Sequence, residues 1–286
     1  MGLSLRSAGI ALFLLFLLVV LRPGAEAHIL DVHARDYVSF AEMIEDLRQA
    51  QAVFIGELHD HPGHHQAQLQ VIQALHQAGQ PVAIGLEMLR QPSQPDADRW
   101  VAGEMSEQEF RQVFEKNWGM WELYAPILRY ARQERIPLVA LNIDREITRQ
   151  VARKGFDSLT PEQREQAPGV SCNIDDSYRA FIRRTLGAHA HNGQMFEYFC
   201  EAQMVWDTAM ARNLLDYLQQ NPQQTMVVLA GSGHAWKHGI PEQAQRQADL
   251  DFRVLLPAVP ERIGPGDATP EETDYLLLGL EEGALH

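Results

Sequence analysis

The chain has 286 residues, 45% of them hydrophobic, with a formal net charge of −14 and only two cysteines. So large a surplus of acid repels phosphate backbones and anionic lipid surfaces, which argues against nucleic acid as a partner. The length suffices for one large domain with a core of ordinary proportions, and no repeat, low-complexity tract or long charge block interrupts it.

The first residues read as an address. Arg6 supplies a positive start, Ile10 to Leu21 is an unbroken apolar run, and Ala25-Glu26-Ala27 has the small-residue pattern of a cleavage site. The run is well short of the roughly 20 residues that a spanning helix needs. The expectation is a signal peptide over 1–27, cleavage before His28, periplasmic residence and no membrane span in the mature chain. No cysteine stands near the cleavage site, so a lipid anchor on an N-terminal cysteine is excluded.

Ser39-Phe40-Ala41-Glu42 is a capping box, and Met43, Ile44 and Leu47 follow at helical spacing. A strand over 52–57 comes next. After His61-Pro62-Gly63 a helix is expected to Gln77, with Leu69, Ile72 and Leu75 on one face and Gly79 as its stop. A second strand, 82–87, precedes the insertion 91–135, which holds a capping box at Ser106 and the aromatics Trp118, Trp121 and Tyr124. A third strand over 138–142 leads to a second helical insertion, 155–220. It opens at a Thr160-Pro161 box and ends in a long helix from Met195 to Leu218. Strands over 227–231 and 251–257 close the series. Helix and strand alternate, so the fold class expected is α/β, a mainly parallel central sheet flanked by helices. The two insertions supply a smaller helical cap; the domain runs over 28–260, and 261–286 reads as a Pro/Gly/acid-rich tail with an apolar end.

Four strands end on acid or histidine: Gly56-Glu57-Leu58-His59, Leu86-Glu87, Asn142-Ile143-Asp144 and Gly231-Ser232-Gly233-His234. Ligands of α/β sheets sit beyond the carboxyl ends of the strands, so these residues should converge on one crevice. Glu57 and His59 share a side of their strand; the pair suits a general base with its orienter, or two metal ligands. His65, four residues before Leu69, falls on the buried face of its helix, while His61 and His64 are expected to face solvent. His234 is preferred over Ser232 as the functional group, because the turn is neither a P-loop nor a Gly-x-Ser-x-Gly elbow. Gln203 and Asp207 share a helix face, where they either line a pocket or satisfy a neighbouring turn. Cys172 and Cys200 could close a loop of roughly 30 residues, worth about 3–4 kcal/mol in an oxidising compartment.

Taken together, GELHDHPGHHQAQ (56–68), LEM (86–88), the Trp118–Pro126 segment, LNIDR (141–145), AQMVWDTAMA (202–211) and LAGSGHAWKHGIP (229–241) resemble the ChaN family of haem-binding uptake proteins, within the erythromycin-esterase-like/Tiki superfamily. Two departures stand out: His61 replaces the usual Asn, and the lipobox of some relatives is absent. The resemblance implies an exported protein of haem or iron acquisition, with haem as ligand and a haem receptor or transporter as partner; a homodimer stays open. Candidate axial ligands in the insertions are Tyr124, Tyr178, Tyr198, His189 and His191, and candidate propionate partners are Arg179, Arg183 and Lys237. Superfamily hydrolases use acid and histidine positions that match Glu57, His59, Glu87 and His234. The alternative is therefore an ester or peptide hydrolase, with Zn or Mn on those four residues or with a histidine as base.

Overall fold

The structure, a computed structural model, describes residues 28–166, 175–186, 193–280 and 285. The expected signal peptide lies outside these residues, as do His189, His191 and Cys172. In chain order the elements are β1 (His28–Asp31), β2 (Asp36–Val38), α1 (Phe40–Leu47), β3 (Ala52–Glu57), α2 (Pro62–Gln77), β4 (Val82–Arg90), α3 (Gln94–Ala102), α4 (Glu107–Asn117), α5 (Trp121–Glu134) and β5 (Leu138–Asn142). They continue with α6 (Arg145–Lys154), α7 (Pro161–Arg164), α8 (Asp176–Leu186), α9 (Gly193–Gln220), β6 (Thr225–Gly231), α10 (Ser232–Ala235), α11 (Ile240–Gln245), β7 (Phe252–Pro257) and β8 (Tyr275–Leu278). The three capping boxes are all present, at Ser39, Ser106 and Thr160.

The strands form one eight-stranded sheet in the order β2-β1-β8-β7-β3-β6-β4-β5. The pairings from β8 through β5 are parallel, and β1 is antiparallel to both its neighbours. Side chains alternate between faces. Val53, Ile55, Ile84, Leu86, Val227 and Leu229 meet α1 to α5, with Trp100, Phe110, Phe114 and Trp121 as the bulky filling. Phe54, Ala83, Leu141, Met226 and Val228 meet α6, α8, α9 and α11 on the other face. The helices of both insertions thus bury their apolar sides on the sheet, while Met120 and Gln203 reach the strand-end cavity.

The segment beyond 260 is more than a tail, because it supplies β8, inserted between β1 and β7. Leu276 packs into one layer and Tyr275 and Leu277 into the other, so the strand is buried on both sides. Asp274 fixes its start by accepting from the Val254 amide at 2.7 Å. At the opposite edge, β5 is covered by side-chain amides. Gln94 donates to Leu138 O at 2.8 Å and accepts from Ala140 N at 2.7 Å, and Asn213 donates to Leu141 O at 2.7 Å. No described helix is long and apolar enough to cross a membrane.

Candidate functional site

The ends of β3, β4 and β6 bring two carboxylate–histidine pairs to one cavity. Glu57, the last residue of β3, is buried, and one of its oxygens accepts from His59 Nδ1 at 2.8 Å and from the Tyr124 hydroxyl. Its other oxygen accepts from Gln68 Nε2 at 2.7 Å and lies 3.3 Å from His65 Nδ1. Burial pushes the Glu57 carboxyl up, but His59, His65 and Tyr124 overcome it and hold the group below the ordinary carboxylate range. Burial pulls His59 down; its bond to Glu57 and the charges of Glu87 and Glu57 more than offset this, so the imidazole is raised.

The second pair comes from α9 and the turn after β6. His234 Nδ1 lies 2.6 Å from Asp207 Oδ1, with both groups buried. Burial lowers His234, yet Asp207 and Glu87 prevail and raise it to about 9. Glu87 stands between the pairs: one oxygen accepts from Gly231 N at 2.7 Å and the other is 3.8 Å from His234 Nε2. A Cβ at 231 would lie 2.7 Å from the His59 ring, so any larger residue there would displace the imidazole. Each histidine also meets a tryptophan edge-on, His59 with Trp118 at 4.9 Å and His234 with Trp206 at 5.5 Å between ring centroids.

The cavity has a volume of about 600 Å³. Its floor holds Glu57, His59, Ser232 and His234; Leu58, Leu256, Val259 and Ile263 make apolar walls; Met120, Asp60 and Arg262 stand exposed at the rim. Met120 has φ 52°, a left-handed conformation uncommon for a non-glycine residue, directly after Gly119 at φ 113°.

The expected crevice residues do come together, with different duties. His65 lies behind the cavity: its Nε2 donates to the His59 carbonyl at 2.9 Å, so it braces the β3 end. His64, expected to face solvent, is buried, and its Nδ1 accepts from Leu58 N at 2.9 Å. Burial, then its neighbours His61 and His65, lower it to about 4, so it is neutral, as an accepting Nδ1 requires.

None of the described axial candidates lines the cavity. The Tyr124 hydroxyl is spent on Glu57, the Tyr178 ring packs 5.9 Å from Trp236, and the Tyr198 hydroxyl accepts from Gln194 at 2.8 Å. The propionate candidates lie elsewhere too. Arg179 sits 3.8 Å from both Asp176 and Glu197, Arg183 lies over the Phe196 ring, and Lys237 is bound to Asp274 at 2.6 Å and to Pro270 O at 2.7 Å. Cys200 is buried and forms no disulfide among the described residues. Zn or Mn on Glu57, His59, Glu87 and His234 finds no support. Among the described residues no group of three or more His, Cys, Asp or Glu is set to hold a metal ion. The reason is visible in the bonds: Glu57 is saturated by internal donors, and Glu87 is turned onto the Gly231 amide.

Asp207, Met120 and Arg262 are among the contributors not assigned from the sequence. Asp207 had a signal, its four-residue spacing from Gln203 on an otherwise apolar helix. Met120 and Arg262 had none, since a turn and a supposed tail carry them.

These features define a class: an α/β protein with a strand-end cavity built on paired acids and histidines. The chain belongs to the family described as haem-binding uptake, Tiki superfamily, ChaN, whose model matches residues 43–244. Among solved structures, ChaN of Campylobacter jejuni with cofacially bound haem is similar, at 22% identity over 88% of this chain and 96% of that chain, with a TM-score of 0.67. An erythromycin esterase, EreC in its open conformation, is a more distant likeness, at 15% identity, 76% and 72% coverage and a TM-score of 0.44. No curated protein matches the chain in sequence.

Proposed function

We propose that this protein captures haem in the strand-end cavity and passes it to an uptake system outside the cytoplasm. The observation that carries the reading is the placing of His59 on an apolar-walled cavity of about 600 Å³, within the 300–1,000 Å³ usual for small-molecule and cofactor sites. A buried carboxylate on Nδ1 fixes the tautomer of a metal-binding histidine and raises its basicity, and Glu57 is in that position for His59. Iron of a bound haem would compete with a proton for Nε2. Family membership supports the ligand, and the apolar run before Ala25-Glu26-Ala27 supports export.

Haemin titration of the chain from His28 onward, followed by absorbance, tests the reading. A saturable Soret shift that His59→Ala alters is the expected result. No saturable change in the wild type refutes haem capture; identical spectra for wild type and variant remove His59 as ligand. Light scattering of the same samples reads whether two chains share the ligand, and N-terminal sequencing of exported material should begin at His28.

A second reading, hydrolysis of an ester-like ligand, is favoured by one observation. His59 and His234 both carry a carboxylate on Nδ1 and line the same cavity, an arrangement for oriented acid–base work in which His234, raised to about 9, would serve as the acid. Turnover of an aryl-ester panel that His234→Ala abolishes would support it; turnover no higher than that of the His59→Ala/His234→Ala double variant would refute it.

A further inference from the structure

Charge is unevenly placed around the cavity. Glu57 stands at its closed end, with Glu87 behind the Gly231 backbone there, Asp60 at its mouth and Glu272 on its wall. His59 and His234, the imidazoles facing it, are each coupled to a carboxylate. Arg262 is the single lysine or arginine among the lining residues. It is exposed and makes no side-chain hydrogen bond or ion pair among the described residues, unlike Arg253, which is held by Asp46 and Asp251.

Arg262 is also held in place by the backbone. Val259 and Ile263 exchange amide hydrogen bonds at 2.9 and 3.0 Å, and Arg262 N donates to Val259 O at 3.0 Å. Within this three-residue turn Pro260 fixes one φ, and Glu261 takes a left-handed φ of 63°. The residues on either side of the turn, Val259 and Ile263, are cavity wall. A guanidinium flanked by apolar wall suits a molecule with a flat apolar body and a carboxylate edge.

We propose that Arg262 is the anchor for a propionate of the bound tetrapyrrole and sets its orientation, carboxylates outward at the rim and apolar edge inward. This rests on the haem reading above. The floor imidazoles are already held by Glu57 and Asp207, while the rim guanidinium has no partner among the described residues, so one orientation is selected and a carboxylated macrocycle is preferred over a neutral one.

The test compares haemin with its dimethyl ester, which has the same ring and iron but no propionate charge, on wild type, Arg262→Lys and Arg262→Glu. Wild type should bind haemin at least about tenfold more tightly than the ester, as one charge-assisted bond implies. Arg262→Glu should erase that preference by weakening haemin while leaving the ester within about twofold, and Arg262→Lys should keep part of it. If wild type and Arg262→Glu bind haemin within twofold of each other, the anchor is refuted and the haem reading survives. If wild type shows no saturable binding of either porphyrin, both fall. A loss for haemin and ester alike would mean a steric or structural role for the hairpin and would overturn the anchor.

Discussion

Glu57→Gln should destabilise the fold by about 3–5 kcal/mol, the range for breaking a buried charged network from one side. The side chain is almost fully buried and accepts from His59, Tyr124 and Gln68, with His65 at 3.3 Å. A glutamine keeps one acceptor oxygen and turns an NH2 group onto donors. If the oxygen stays with His59 and Tyr124, the new amide faces Gln68 and His65. His65 Nδ1 would keep only its 3.2 Å contact with Gln68 Oε1, Gln68 Nε2 its long 3.4 Å bond to Ile55 O, and the new amide would point at donors. Such losses cost about 1–3 kcal/mol each, and the surviving bonds lose their charge assistance. At about 2–4 °C per kcal/mol for a chain of this size, the melting temperature should fall by about 6–20 °C. The pH dependence gives an independent check. Glu57 is held below its ordinary value of 4.5, so its contribution is present above pH 4.5 and is lost as the pH falls below it. The gap between wild type and variant should be widest at neutral pH and narrow in acid. Urea unfolding at both pH values, followed by tryptophan fluorescence, measures it. A gap under about 1 kcal/mol at neutral pH, or one that does not narrow in acid, would show that the network is not what holds the β3 end.

Three further perturbations probe other parts of the structure. Asp207→Asn removes the larger of the two charges that raise His234 to about 9 and leaves Glu87, so the imidazole should titrate clearly lower in a proton NMR titration. His234 contributes stability below pH 6.5 that wild type loses as the pH rises through about 9. The variant should lack that decline, and an unshifted imidazole would contradict the pairing. Gln94→Leu uncovers both a carbonyl and an amide of β5. It should cost about 1–3 kcal/mol in urea unfolding and raise light scattering on storage, and a variant as stable and as monodisperse as wild type would argue against an edge-sealing role. Arg135 ends α5 with a left-handed φ of 55°. Arg135→Gly should therefore add about 0.5–1 kcal/mol in the same assay, and a loss would mean that the arginine side chain matters more than its backbone strain.

Much of the parallel core could be read from the chain because four of its strands are runs of apolar residues followed at their ends by acid or histidine. Strand ends also explain why Glu57, His59, Glu87 and His234 could be assigned to one place before any contact was known. The failures share a cause, the partner being remote in sequence. His64 looked exposed on a helical wheel, which cannot display the Leu58 amide that it accepts from. Lys237 looked like a ligand cation until β8 brought Asp274 beside it. β8 itself was masked by the Pro/Gly-rich stretch before it, and β1 and β2 are too short for alternation to register. Arg262 reaches the site through the short turn that follows β7, in a stretch that reads as tail.

The strand order governs when this chain can fold during synthesis. β3 lies between β6 and β7, so neither of its neighbours exists until the ribosome has passed residue 225. β1 waits longer still for β8, where His28 faces Leu278. Early strands therefore leave the ribosome without their partners, and closing the sheet joins segments about as far apart as the chain allows. Such non-local closure is slow. A nascent chain with this order carries unpaired apolar strands for much of its synthesis, the condition in which aggregation competes with folding.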